Sequence, residues 1–222
     1  MTVPPEPVPP PAVPPQALIV DFGGVLTTPL QDAMVAFAEG IGIELQDLVR
    51  VALKAYSGGT DALVVAFEKG ELGEAEFGIQ FAQRLAQETG VEVDPERVVG
   101  QMFGGIRLEE GMLDAVGAAR RAGFKTGLLS NSWGLAGYPR ERLAEIMDVV
   151  VISAEVGMRK PDAEIFELTT SKLGVTPEAS VFVDDHPGHL QAAQELGMTT
   201  VLHREPAQTI AELEDLLGIS LS

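Results

Sequence analysis

The stretch Ala17-Leu18-Ile19-Val20-Asp21-Phe22-Gly23-Gly24 decides the fold. A short apolar run that ends on an acid and two glycines reads as a strand buried on both faces, followed by a tight turn. Strands of that kind belong to parallel sheets covered by helices.

Downstream, from Glu110, helix and strand alternate. The spacing predicts a helix over Gly111–Arg121 ended by Gly123, a strand over Thr126–Leu129, and a helix over Arg140–Met147. It then predicts a β-branched strand over Val149–Ile152 and a helix over Ala163–Leu173 stopped by Gly174. A strand over Ser180–Asp184, a helix over His189–Leu196 before Gly197, a strand over Thr199–Leu202 and a helix over Ala207–Leu217 complete the series. This rhythm implies an α/β, doubly wound parallel sheet built from residues 16–30 and 109–222.

Residues 31–108 break the rhythm. Leu45, Leu48, Val49 and Ala52 have helical spacing, as do Phe77, Phe81 and Leu85, and no strand pattern occurs. Gly58-Gly59, Gly70, Gly73 and Gly90 punctuate the segment, and Asp94-Pro95 reads as an N-cap with proline at N1. The segment is expected to be a small α-helical insert. It starts beyond the C-terminal end of the first strand, where ligands bind in open α/β sheets, so it would roof a site. Upstream, residues 1–15 are Pro-rich and read as a disordered tail, with a ligand for a proline-reading module as the other reading.

Composition narrows the function. Fifteen Lys+Arg against 33 Asp+Glu give a formal charge of −18, which argues against nucleic acid and anionic membranes as partners. There are no cysteines, which excludes disulfides, thiolate metal sites and Cys nucleophiles, and fits a cytoplasmic location. No apolar run reaches the ~18 residues that span a bilayer, and the N-terminus lacks the basic start and apolar core of a signal peptide. Nothing in the chain speaks to oligomeric state.

Four polar positions fall at or just beyond strand ends: Asp21, Ser130 in Leu129-Ser130-Asn131-Ser132, Lys160 in Arg159-Lys160-Pro161, and Asp184-Asp185. In a parallel sheet all four face one crevice. Carboxylates there can hold a hard cation such as Mg²⁺, the ammonium can hold an anion, and Ser with backbone N–H groups can cradle oxygens. A carboxylate pressed against a phosphate is a candidate nucleophile.

These four motifs, in this order and with an insert after the first, resemble the haloacid dehalogenase-like (HAD) hydrolase superfamily. The similarity is to the subgroup with a helical cap over 31–108. The resemblance implies a Mg²⁺-dependent hydrolase of phosphate monoesters of small phosphorylated metabolites. Asp21 would be the nucleophile that forms an aspartyl-phosphate, Ser130 would hydrogen-bond the phosphoryl group, and Lys160 would neutralise charge and restrain Asp21. Gly24 and Asn131 would contact phosphate. Asp21, the Gly23 carbonyl, Asp184 and Asp185 would hold Mg²⁺.

The chain departs from the family pattern at Gly23, where most phosphatases of the superfamily carry a second Asp as general acid, and at Val25, where Thr is usual. His186 or a water is a candidate replacement for the acid. Two other readings stay open: a metal-independent 2-haloacid dehalogenase, against which the Asp184-Asp185 pair argues, and a binding or regulatory protein that lost turnover with the acid. On blander grounds, His186 reads as a solvated loop residue, His189 and His203 as structural, Trp133 as a packed anchor, and Phe77, Phe81 and Phe103 as core of the insert.

Overall fold

The computed structural model describes residues 13–53 and 62–221. Residues 1–12 of the expected tail over 1–15, the Gly58-Gly59 pair and Ser222 lie outside the described residues.

The core is a five-stranded sheet of order β3-β2-β1-β4-β5. The strands are β1 (Ala17–Val20), β2 (Lys125–Ser130), β3 (Val149–Ile152), β4 (Ser180–Asp184) and β5 (Thr199–Leu202). Every pairing is parallel. β1 is central because it is apolar on both faces. Leu18 and Val20 enter one core with Leu128, Val181 and Val183. Ala17 and Ile19 enter the other with Leu129 and Phe182. On the first face lie α6 (Glu110–Arg121), α7 (Arg140–Ile146) and α11 (Pro206–Leu217). On the second lie α9 (Ala163–Leu173) and α10 (Pro187–Glu195). The chain winds outward from β1 to β2 and β3, then crosses back to β4 and β5. The strand order therefore reverses beside β1, the place where such sheets open a crevice.

β1 ends at Val20, not at Phe22 as its apolar run suggests. Phe22 N–H bonds to the Asp21 carboxylate (2.7 Å), turning the chain out of the ladder one residue after Val20. The other expected strands and helices stand within about two residues of their predicted ends, the usual uncertainty of element boundaries. Asp94-Pro95 does not open a helix. Asp94 caps a turn through Glu96 N–H (3.0 Å), and the α-helix begins only at Val98. A short helix, α8 (Ser153–Val156), follows β3, where no helical pattern is expected.

Between β1 and α6 the described residues form helices: α1 (Leu30–Ile41), α2 (Leu45–Leu53), α3 (Ala62–Glu68), α4 (Glu74–Thr89) and α5 (Val98–Phe103). They share a core of their own, in which Phe67 stacks on Phe77 at 4.1 Å and Phe77 on Phe81 at 5.6 Å. Such aromatic pairs add ~0.5–1.5 kcal/mol beyond their burial. The two chain segments that lead in and out of these helices are tied together. Thr27 and Leu108 form an antiparallel bridge, flanked by Thr28 N–H to Arg107 C=O (2.8 Å) and Glu109 N–H to Leu26 C=O (2.9 Å).

Candidate active site

Parallel register carries Asp21 past the end of β1, level with the end of β4, where its N–H bonds to the Val183 carbonyl at 2.9 Å. Lys160 sits beneath it, fully buried, with Nζ 2.9 Å from Asp21 Oδ1 and 2.6 Å from Asp184 Oδ2. Burial works against the ammonium, but the Asp184 and Asp21 carboxylates outweigh it and hold the lysine charged. Asp184 is likewise held ionised. Burial alone would raise it, yet Lys160 and His189 pull it well below the usual carboxylate range. Asp21 goes the other way, up to about 7, because burial and then the Asp184 and Asp185 charges outweigh Lys160. The bonds to Asp21 from Lys160 and from Phe22 N–H both end on Oδ1, so Oδ2 accepts no hydrogen bond among the described residues.

A single network holds the other expected residues. Asn131 clamps the lysine loop from both sides. Its Nδ2 donates to Lys160 C=O (3.0 Å), and its Oδ1 accepts from Lys160 N–H (2.8 Å). The Asn131 side chain is thereby spent on positioning Lys160. Ser130 is buried at the end of β2, with Oγ 2.9 Å from Tyr138 Oη. Burial pushes the Tyr138 hydroxyl up to about 12, so it stays protonated and can donate to Ser130. The Ser130 Oγ–H itself donates to the Asn131 carbonyl at 3.3 Å, a long bond that an incoming oxygen could replace.

The glycines divide the work differently from expectation. Gly24, not Gly23, holds the left-handed backbone, at φ +75°. Its N–H donates to Thr27 Oγ1 (3.0 Å), so the donor is not offered to a phosphate. A β-carbon on Gly24 would collide with the Asp185 carboxylate. A β-carbon on Gly23 would meet the Leu30 side chain at 3.0 Å.

Asp184 and Asp185 are adjacent yet distinct. Asp184 is buried, and both its oxygens are taken. Oδ2 accepts from Lys160, and Oδ1 accepts from His186 N–H at 2.8 Å. His189 Nδ1 lies 3.1 Å from either oxygen. Asp185 is exposed and lines the cavity described below. Although the residue as a whole is exposed, the crowding around its carboxyl and then the Asp184 charge raise it. His189, expected to be structural, stands in the site. Burial and Lys160 lower it to about 4, so it is neutral, and its Nδ1–H donates to Asp184.

One atom each from Asp21, Asp184 and His189 lie within 4.8 Å of one another. Of the groups around this crevice, Asp21 Oδ2 and the Asp185 carboxylate are the ones left open to a hard cation, since Asp184 and His189 are engaged with each other, and Asp184 also with Lys160. The missing Gly24 β-carbon makes room for one of the carboxylates, so a divalent ion fits the residues present. The hard-oxygen preference of Mg²⁺ favours the carboxylates over the imidazole.

Above Asp21 opens a cavity of about 710 Å³. Asp21, Gly23, Ser130, Asn131, Asp185 and His186 form its polar lining near the strand ends. Leu30 and Met34 of α1, Phe103, Trp133 and Tyr138 form much of the rest. Phe103 and Trp133, expected as core and anchor, pack on each other at 5.6 Å and also face the cavity.

A second buried ion pair stands in the cavity wall. Arg159 Nε lies 2.6 Å from Glu68 Oε2, but the N–H is not aligned on the oxygen. Burial outweighs Arg159 and raises Glu68 to about 7. Beside it, Ser153 Oγ donates to the Glu68 carbonyl (2.5 Å) and accepts from Ser132 N–H (2.7 Å). These contacts pin the end of α3 to the ends of β2 and β3. Neither Glu68 nor Tyr138 carries a local sequence signal. His189 does carry one, since it lies in the first turn of the helix that follows an acid-ended strand.

Residues 15–197 match the family model of haloacid dehalogenase-like hydrolases. The chain is 29% identical over 220 residues to bifunctional epoxide hydrolase 2 of Sus scrofa, covering 93% of this chain and 39% of that protein. It thus spans well under half the length of that relative. It is 27% identical over 160 residues to flavin mononucleotide hydrolase 1 of Arabidopsis thaliana, covering 71% of this chain and 63% of the relative. A HAD family enzyme from Bacteroides thetaiotaomicron, solved with magnesium and inorganic phosphate, superposes with a TM-score of 0.64 at 22% identity. That superposition covers 86% of this chain and 94% of the other.

Proposed function

The chain belongs to the haloacid dehalogenase-like hydrolases, and from that premise we propose that it hydrolyses phosphate monoesters through a covalent phosphate on Asp21, with Mg²⁺. The observation that carries this reading is Lys160 Nζ bridging Asp21 and Asp184 at 2.9 and 2.6 Å below a cavity that Asp21 lines. A relative named as a flavin mononucleotide hydrolase and a fold neighbour solved with magnesium and phosphate agree with it.

In the first step, an Asp21 carboxylate oxygen attacks phosphorus, the ester P–O bond breaks, and the leaving oxygen takes a proton from water, position 23 offering none. In the second, water attacks the same phosphorus, restoring the carboxylate and releasing phosphate. Lys160 spans Asp21 and Asp184 throughout, so the nucleophile is held in place. Ser130 Oγ–H, oriented by Tyr138, and the backbone beside Asn131 receive phosphoryl oxygens. This is stabilisation of spread negative charge by groups fixed in advance. Asp21 Oδ2, the Gly23 carbonyl and Asp185 would hold Mg²⁺, which neutralises charge on the phosphoryl oxygens. Asp184, its oxygens already taken, serves Lys160 and backs the site.

The helices over 31–108 act as a cap on this site. The substrate is a phosphorylated small molecule, and the cysteine-free composition fits a cytoplasmic setting. Among the described residues no helix is long and apolar enough to cross a membrane. A competing reading, binding without turnover, draws on one observation: Leu30 fills the space where a general acid would project from position 23. Release of 4-nitrophenol from 4-nitrophenyl phosphate, with and without Mg²⁺, decides between them. Metal-dependent turnover is expected, and its absence would overturn the proposal.

A further inference from the structure

We infer that the cavity above Asp21 selects phosphate monoesters whose alcohol is uncharged and apolar, such as long alkyl or polycyclic alcohols, and rejects sugar and carboxylate-bearing phosphates. This deepens the phosphatase reading and rests on it for the phosphate end alone.

Phe22, Leu30, Met34, Phe103, Ile106 and Trp133 all line the cavity, and each is only partly buried. Apolar surface left facing a chamber of about 710 Å³ is stabilised when an apolar group displaces the water there. A polyhydroxylated group would lose its own hydration against those apolar walls, and away from the strand ends the lining offers it only Gln31 and Glu68 as polar side chains.

Charge points the same way. The ionisable acids of the lining are Asp21, Glu68 and Asp185, and among the described residues no lysine or arginine lines the chamber. Lys160 lies behind Asp21, fully buried and already shared by two carboxylates. A second anionic group on the substrate would find acids and a chain of formal charge −18. The enclosing residues come from both sides of the crevice, with Leu30 and Met34 from α1 and Phe22 and Trp133 from loops after β1 and β2. The chamber can therefore surround an apolar group on several sides.

The test uses n-alkyl phosphonates, which cannot be hydrolysed, titrated calorimetrically into the full chain with Mg²⁺. From ethyl to octyl, Kd should tighten about fourfold per methylene, the equivalent of ~0.8 kcal/mol each, with an increasingly negative heat-capacity change. 3-Phosphonopropionate should bind more weakly than butyl phosphonate. In Met34→Glu the octyl-to-ethyl affinity ratio should fall at least tenfold. That ratio does not depend on the fraction of variant that folds. A flat alkyl series, an unchanged ratio in the variant, or tighter binding of 3-phosphonopropionate would overturn the inference. Hydrolysis of 4-nitrophenyl phosphate on the same sample reports on the phosphatase reading alone. A steep alkyl series without turnover leaves the chamber's selectivity standing and removes catalysis; turnover with a flat series does the reverse.

Discussion

Leu30 occupies the space that a side chain on Gly23 would need: its Cδ1 lies 3.0 Å from where the β-carbon would stand. The position two residues after Asp21, the proposed nucleophile, is thus closed by a leucine from the start of α1, and apolar wall stands there. The backbone of Gly23 is not left-handed, so a side chain is opposed only by the far end of Leu30, which can shift.

Gly23→Asp, paired with Leu30→Ala to relieve the contact, should therefore restore a proton donor. Hydrolysis of alkyl phosphates, whose alkoxide leaving groups need a proton, should rise by up to ~10²–10⁴-fold. Hydrolysis of 4-nitrophenyl phosphate, whose leaving group does not, should change little from Leu30→Ala alone. Steady-state kinetics on both substrates measure this. An equal change in both would show that position 23 does not supply the proton.

Gly24 has the opposite constraint. It is left-handed at φ +75°, and a β-carbon would strike the Asp185 carboxylate. Gly24→Ala should cost ~1–2 kcal/mol in stability from the backbone alone and displace Asp185. A ligand of the native state at ~100 times its Kd adds ~2.7 kcal/mol, so Mg²⁺ should raise the melting temperature of the wild type. The shift should vanish in Gly24→Ala and in Asp185→Asn. Thermal unfolding with and without Mg²⁺ reads it out.

The sheet and the four motif positions were legible in the sequence because they are local. An apolar run closed by Asp, or by Ser-Asn, carries its own strand and its own chemistry. Asp21, Ser130, Asn131, Lys160, Asp184 and Asp185 come together because parallel strands end on one edge. What the sequence hid depends on contacts between distant segments. Tyr138 on Ser130, Asn131 on the Lys160 backbone, Arg159 on Glu68 and Leu30 on Gly23 leave no periodic trace. The different duties of Asp184 and Asp185 were also hidden. They are neighbours in the chain, yet the pleat sends one to Lys160 and the other to the cavity.

Glu68 gives the fold a pH dependence. Its carboxyl rises from 4.5 to about 7 because burial outweighs Arg159. The folded state therefore holds a proton that the unfolded state releases between these values. The stabilisation from this group is complete below pH 4.5 and is lost as pH rises through about 7. Relative to Glu68→Gln, the wild type should lose stability across this window with a slope of up to ~1.4 kcal/mol per pH unit. Urea unfolding of both proteins from pH 4.5 to 8 measures the difference, and parallel curves would contradict it.

Ser153→Ala removes one hydroxyl from between two buried backbone groups, the Ser132 N–H and the Glu68 carbonyl. Each buried group left unsatisfied costs ~1–3 kcal/mol. The variant should lose at least ~2 kcal/mol in denaturant unfolding. Because the same serine fastens α3 to the strand ends, hydrogen exchange should quicken at Phe67 and Glu68.

On the proposed route the phosphoryl group passes through Asp21. Acid-quenched single turnover with ³²P-labelled 4-nitrophenyl phosphate and Mg²⁺, followed by peptide mapping, addresses it directly. Transient label is expected on the peptide that carries Asp21, and none in Asp21→Asn, whose turnover falls to background. Label on Ser130, or turnover in Asp21→Asn close to wild type, would contradict it.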